Sequence, residues 1–199
     1  MNRRHIAIER EYGSGGTEIA RRLAKECGIP CYGQEILEAV AKEYCVSVED
    51  IQKSEETITN SFLYTIYAIG QMQSGNMTPL SNEGKLFLAE QNFIRSSAMK
   101  QTAVYLGHCA SEALKDFEVV KVFIRCTDKK KKGNRIVEEY GISLEQCETT
   151  RKRFDQKRKK YYYANTAKQW DDLRNYDIVL DSASLGIEGC VAVLKGLFT

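Results

Sequence analysis

The chain has 199 residues, 43% of them hydrophobic, and its 29 basic and 27 acidic side chains leave a formal net charge of +2. That is enough to bury one full core, so a single domain over residues 1–199 is expected, and the near-neutral balance argues against a global basic field for nucleic acid or an acidic membrane. The seven cysteines are odd in number and form no C-x-x-C pair, which argues against a disulfide framework.

Cys27 and Cys31 stand four apart without the further cysteine or histidine neighbours a zinc site needs, so they read as small buried side chains. No stretch is long and apolar enough for a signal peptide or a membrane span. A reduced, cytoplasmic setting is the expectation.

In chain order, the first apolar run is HIAIE from His5, with the unalternating β-branched character of a buried parallel strand. A glycine cluster follows, Gly13, Ser14, Gly15 and Gly16, and then a helical pattern from Thr17 to Glu26. Glycines at the mouth of a helix let backbone N–H groups approach an anion, and the helix dipole favours negative charge there. A dinucleotide fingerprint fits poorly, because Glu18 falls where its third glycine should be. Against the phosphate-loop pattern G-x-x-x-x-G-K-[ST], Arg10 falls on the first glycine, Gly15 on the second, Gly16 on the lysine and Thr17 on the hydroxyl. Backbone amides and a hydroxyl able to hold Mg²⁺ survive. The missing lysine's charge has to come from Arg10 or from a more distant cation.

Next come a weak strand candidate, IPCYG, and helical patterns at 35–44, 48–53 and 62–72. Within the last of these, Phe62, Ile66, Tyr67 and Ile69 form an apolar face that serves the sheet or a second copy of the chain in a homodimer. A proline-bearing loop at 76–82 precedes a helix at 85–99, the strand TAVYLG, a helix at 109–115 and the strand EVVKVFIRC. Residues 128–168 are strongly basic, with seven Lys or Arg between Arg151 and Lys160, and YDIVLD closes the set of strands. Alternating strands and helices predict an α/β fold: a five-stranded parallel sheet flanked by helices in three layers. Region 46–100 would be an inserted helical segment, and 128–168 two solvated helices or a mobile basic lid whose cations close over phosphates.

Inside the basic segment, Arg151, Asp155 and Arg158 have the i, i+4, i+7 spacing of one helix face, so the carboxylate can aim two guanidinium forks. Solvated ion-pair ladders share that spacing. Trp170 and Tyr161 to Tyr163 beside the basic run would suit base stacking on RNA, but the near-neutral net charge favours packing.

These stretches together resemble the cytidylate kinase-like family. IEREYGSGGTEIARRLA is similar to that family's opening R-E-[FY]-G-S-G-G, in which the loop lysine is absent, so its absence here is implied to be a family trait. GIPCYG resembles GIPYYD, LGHCASEAL resembles GRCADYIL, EEYGISLEQC resembles the lid segment, KRFDQKRKKYYYANTAKQW resembles KTDKRRARYYKYYTGREW, and LDSASLGIEG resembles LDSSRLGIEG. The resemblance implies the P-loop nucleotide kinase fold and phosphoryl transfer from ATP with Mg²⁺ to a small nucleotide such as CMP or dCMP. It implies that Arg151, Asp155 and Arg158 contact phosphates, that Arg135, with Lys131 one turn before it, is a further lid cation, and that Gly13 to Thr17 hold the donor's phosphates. Asp181 and Ser182 would lie near the donor base, and Tyr32, Gln34 and His108 in the acceptor region. Three acceptor positions depart from the family's residues: Gly33 stands for Asp, His108 for Arg and Ser111 for Asp. Two other functions stay open on these residues, a nucleotide-binding regulator without turnover and an RNA-binding module.

Overall fold

The computed structural model describes residues 4–44, 47–48 and 82–198. The expected helices at 48–53 and 62–72, the apolar face of the latter and the loop at 76–82 lie outside these residues, apart from their ends at 48 and 82.

Five strands form one parallel sheet in the order β2-β3-β1-β4-β5, with β1 His5–Arg10, β2 Cys31–Tyr32, β3 Val104–Leu106, β4 Val119–Arg125 and β5 Ile178–Asp181. β1 lies at the centre because its apolar run pairs along its whole length with β4, from His5 beside Val119 to Arg10 beside Ile124. The weak strand candidate is real but only two residues long, held by Cys31 and Tyr32 against β3.

The strand period sorts side chains between two layers. Ile6, Ile8, Val104, Leu106, Val122, Ile124 and Leu180 meet Ile19, Leu23 and Leu194 on one face, where α1 (Gly16–Cys27) packs beside α7 (Ser182–Lys195). On the other face Ala7 and Tyr105 meet Ile94 and Ala98 of α3 (Asn82–Lys100) and Leu114 beyond the short α4 (Ala110–Ala113), with Ile36 of α2 (Gln34–Tyr44) in the same cluster. Three layers result.

The basic segment forms two helices, α5 (Lys129–Tyr140) and α6 (Leu144–Thr166). Asp128 starts α5 by accepting the N–H groups of Lys130 and Lys131 at 2.9 and 3.0 Å, and Gly141 ends it at φ +64°. α6 carries its aromatic end onto β4, where Tyr162 joins Phe123, Trp170 and Tyr176.

Candidate active site

The site lies at the carboxyl ends of the strands, the usual place for ligands in open α/β sheets. After Arg10 the chain turns through Gly13 and Gly15 at φ +73° and +76°, a region only glycine enters without strain. A Cβ on Gly15 would also fall 2.4 Å from Ile187 Cδ1. Ser14 is fully buried and shapes the turn: its hydroxyl accepts the Gly16 N–H at 3.3 Å, and its carbonyl accepts the Ser182 hydroxyl at 2.6 Å. α1 then opens with no side-chain hydrogen bond from its N-cap Gly15, and its dipole directs the positive end at the loop.

The Arg10 stem fills the space a side chain at position 16 would enter. A Cβ built on Gly16 would lie 2.5 Å from Arg10 Cβ and 2.8 Å from its Cγ, and one on Gly107 would lie 2.6 Å from Arg10 Nη1. The arginine therefore runs between two glycines, from the loop toward the turn after β3. In the lysine-bearing pattern, position 10 is the glycine and position 16 the cation; here the two residue types are exchanged. Arg10 Nε is buried with no hydrogen-bond partner among the described residues, the state expected of a donor arranged for an anion. Burial pushes its guanidinium down to about 10, the Arg158 charge pushes the same way, and Glu9 opposes both.

α5 and α6 are fastened to this loop. Arg135 Nη1 donates to the Gly13 carbonyl at 2.8 Å, and Lys132 Nζ donates at 2.7 Å to Glu11, whose carboxylate also accepts the Cys126 N–H at 2.9 Å. Lys131 Nζ reaches the Ala183 carbonyl at 2.8 Å. Tyr12 stacks between Phe154 and Tyr140, with ring centroids 4.6 and 4.8 Å away.

The spacing of Arg151, Asp155 and Arg158 does bring them together on α6, with the carboxylate 3.2 Å from Arg151 and 3.6 Å from Arg158. Their directions differ. Asp155 turns to the Tyr12 N–H at 2.7 Å, and Arg158 Nη1 donates to the Arg10 carbonyl at 3.0 Å. Arg151 grips Glu148 through Nε and Nη2 at 3.0 and 2.8 Å and faces a second cavity beside Arg125 and Trp170. Burial raises the Asp155 pKa and lowers that of Arg158, each against the pull of the other's charge.

A first cavity of about 360 Å³ opens beside Arg10, lined by Glu9, Arg10, Leu37, Gly107 and His108 from the sheet side and by Phe154, Lys157, Arg158, Tyr161 and Tyr162 from α6. Of the expected acceptor residues, His108 lines it; its Nδ1 lies 3.1 Å from Glu90, a carboxylate that also accepts the Tyr161 hydroxyl at 2.6 Å. Tyr32 and Gln34 are not among the lining residues. Tyr32 packs on Phe93 and Tyr105, and Gln34 opens α2 after Gly33, whose N–H donates to Glu35 at 2.9 Å. Ser111 is buried on α4. Asp181 caps α7 through the Ala183 N–H and accepts from the Thr127 hydroxyl, so its carboxylate is occupied by structure.

Sequence reasoning missed Glu9, Glu90 and Lys157. Glu9 is 7% exposed, and its Oε2 accepts Trp170 Nε1 at 3.0 Å across 161 positions. The only signal in the sequence was an acid inside an apolar strand.

Positive-φ glycines, a helix N-terminus without a side-chain cap and two nearby arginines, Arg10 and Arg135, suit a triphosphate. Among the described residues no group of three or more His, Cys, Asp or Glu could hold a metal by itself. Mg²⁺ in phosphate sites keeps several waters and phosphate oxygens and needs few protein ligands, and the Thr17 hydroxyl at the start of α1 fits that need. Among the described residues no helix is long and apolar enough to cross a membrane.

Known proteins agree with this architecture. The chain is similar over 98% of its length, and 98% of the other's, to an uncharacterized protein from Eubacterium ventriosum ATCC 27560, at 27% identity and a TM-score of 0.75. It shares its fold with shikimate kinase from Bacteroides thetaiotaomicron, at 13% identity, 98% and 97% coverage and a TM-score of 0.53. A similar likeness links it to TT1252 from Thermus thermophilus, at 15% identity, 100% and 97% coverage and a TM-score of 0.55. None of the curated proteins matches it in sequence. The profile of the cytidylate kinase-like family, by contrast, matches residues 5–184, and with this span of strands, loop and basic helices the chain belongs to that family.

Proposed function

We propose that the protein is a phosphotransferase that uses ATP with Mg²⁺ and passes the terminal phosphoryl group to a small acceptor in the cavity beside Arg10, a class that includes nucleosides and nucleotides such as CMP or dCMP. The observation that carries this reading is the exchange of Arg10 and Gly16: the cation is relocated, not lost. Kinase relatives by family and fold support the same chemistry.

In this reading the first-turn amides of α1 and the loop N–H groups bind the donor's phosphates, while Arg10 spans from the loop to the acceptor cavity and offsets charge on the transferring group. Thr17 holds the metal, which supplies charge neutralisation on the phosphate oxygens. α5 and α6 serve as the lid, Arg135 exchanging the Gly13 carbonyl for a phosphate and Arg158 closing the cavity from above.

The test is equilibrium binding of ATP–Mg followed by a phosphotransfer screen. Binding with transfer supports the reading. Binding with no transfer to any acceptor marks a regulator, and salt-sensitive binding of a polynucleotide without ATP binding marks an RNA module.

A further inference from the structure

The cavity beside Arg10 contains a carboxylate that phosphate binding alone does not account for. Glu9 lines it at the end of β1, fixed through Oε2 by Trp170 Nε1. A second buried acid, Glu90, 1% exposed, stands behind His108, the residue that replaces the family's arginine. Arg10, Lys157 and Arg158 line the same cavity and can face the transferring phosphoryl group, but an acceptor phosphate placed against Glu9 itself would meet a like charge at short range. An attacking alcohol would instead need a proton acceptor there. Beside Gly107 and Lys157, the lining residues Leu37, Phe154, Tyr161 and Tyr162 offer apolar and aromatic walls to a ring.

We propose that the acceptor is an uncharged ring-bearing alcohol, a nucleoside being the type, and that Glu9 takes the proton from its attacking hydroxyl. This rests on the phosphotransfer reading and narrows its acceptor. The alcohol oxygen forms a bond to the terminal phosphorus of ATP as the bond to the bridging oxygen breaks. ADP leaves with that electron pair, and the hydroxyl proton passes to the Glu9 carboxylate and then to solvent. Arg10 and Arg158, on the same cavity, face the phosphoryl group and leave the hydroxyl to Glu9.

Trp170 is the chain's single tryptophan and touches Glu9, so its fluorescence reports ligand binding independently of turnover. The experiment measures phosphate transfer from ATP–Mg to the common ribo- and deoxyribonucleosides and to their monophosphates, for the native chain and Glu9→Gln. Glutamine keeps an acceptor for Trp170, and thermal unfolding checks the fold. Nucleosides are expected to exceed their monophosphates in kcat/KM by roughly tenfold or more, and Glu9→Gln to lower kcat by about 100-fold or more while nucleoside and ATP affinities stay within about threefold. Preference for monophosphates, an unchanged kcat in Glu9→Gln, or no transfer to any alcohol while ATP still binds would overturn the alcohol assignment. Loss of ATP binding in the native chain is the separate result that defeats phosphotransfer itself.

Discussion

The Asp155 carboxylate accepts the backbone N–H of Tyr12 at 2.7 Å, joining two residues 143 positions apart and fastening α6 to the phosphate loop. The contact is buried, and Asp155 also sits between Arg151 and Arg158. Replacing it with alanine strands an amide and releases two guanidiniums, a loss of about 3 kcal/mol. Asp155→Asn keeps an acceptor for Tyr12 and is expected to lose about half as much. Urea unfolding of the two variants measures the difference, and hydrogen exchange at Tyr12 is expected to rise in the alanine variant alone.

Restoring the lysine by itself should damage the loop. The Cβ of any residue at 16 would fall 2.5 Å from Arg10 Cβ, a stem anchored in β1 and not the mobile end of a side chain. Gly16→Lys is expected to cost about 1–3 kcal/mol through overpacking and to weaken ATP binding. The reciprocal pair Arg10→Gly with Gly16→Lys recreates the lysine-bearing arrangement. It is expected to recover most of the affinity, by calorimetric titration.

The strands were legible because a parallel sheet buried on both faces needs continuous apolar runs, which His5, Glu118 and Tyr176 each introduce. β2 was the weakest because two residues carry no period. The helix α7 was read only as a motif: Gly186, at φ +67°, interrupts its backbone near the start. In the site, spacing put Arg151, Asp155 and Arg158 on one face, but it could not show that Asp155 turns to a backbone N–H while the arginines face separate cavities. Local pattern records neighbours along a helix and not partners across the fold. Glu9 showed only as an acid in an apolar strand for the same reason, its partner Trp170 being supplied by chain folding and not by sequence proximity. Conversely, the exchanged Arg10 and Gly16 were both visible, and only the third dimension showed the Arg10 stem crowding position 16.

Arg10 also sets a pH limb. With its free-state value pushed to about 10, its charge is lost as pH rises through that point, and a bound phosphate, which favours the charged form, draws a proton back. ATP affinity is therefore expected to hold below pH 10 and fall above it, with proton uptake on binding in that window. Arg10→Lys starts from an ordinary value near 10.4 and is lowered by the same burial, so the limb should move to lower pH. Titrations in buffers of different ionisation enthalpy read both effects.

Glu11 is expected to matter for stability more than for chemistry. Its carboxylate holds Lys132, whose side chain is 9% exposed, together with the Cys126 N–H. Glu11→Ala leaves that ammonium buried without its counter-ion, a loss of about 2–4 kcal/mol in urea unfolding. Lys132→Met, which removes the charge and keeps the stem beside the loop, should cost less.

The central claim is that Arg10 performs the missing lysine's task, and the most direct measurement is the ATP–Mg dissociation constant of Arg10→Ala against the native chain at pH 7.5. The expected result is a roughly 10- to 100-fold loss of affinity, the worth of one or two charge-assisted hydrogen bonds, with the unfolding transition preserved. An unchanged dissociation constant in a folded Arg10→Ala protein would contradict the claim.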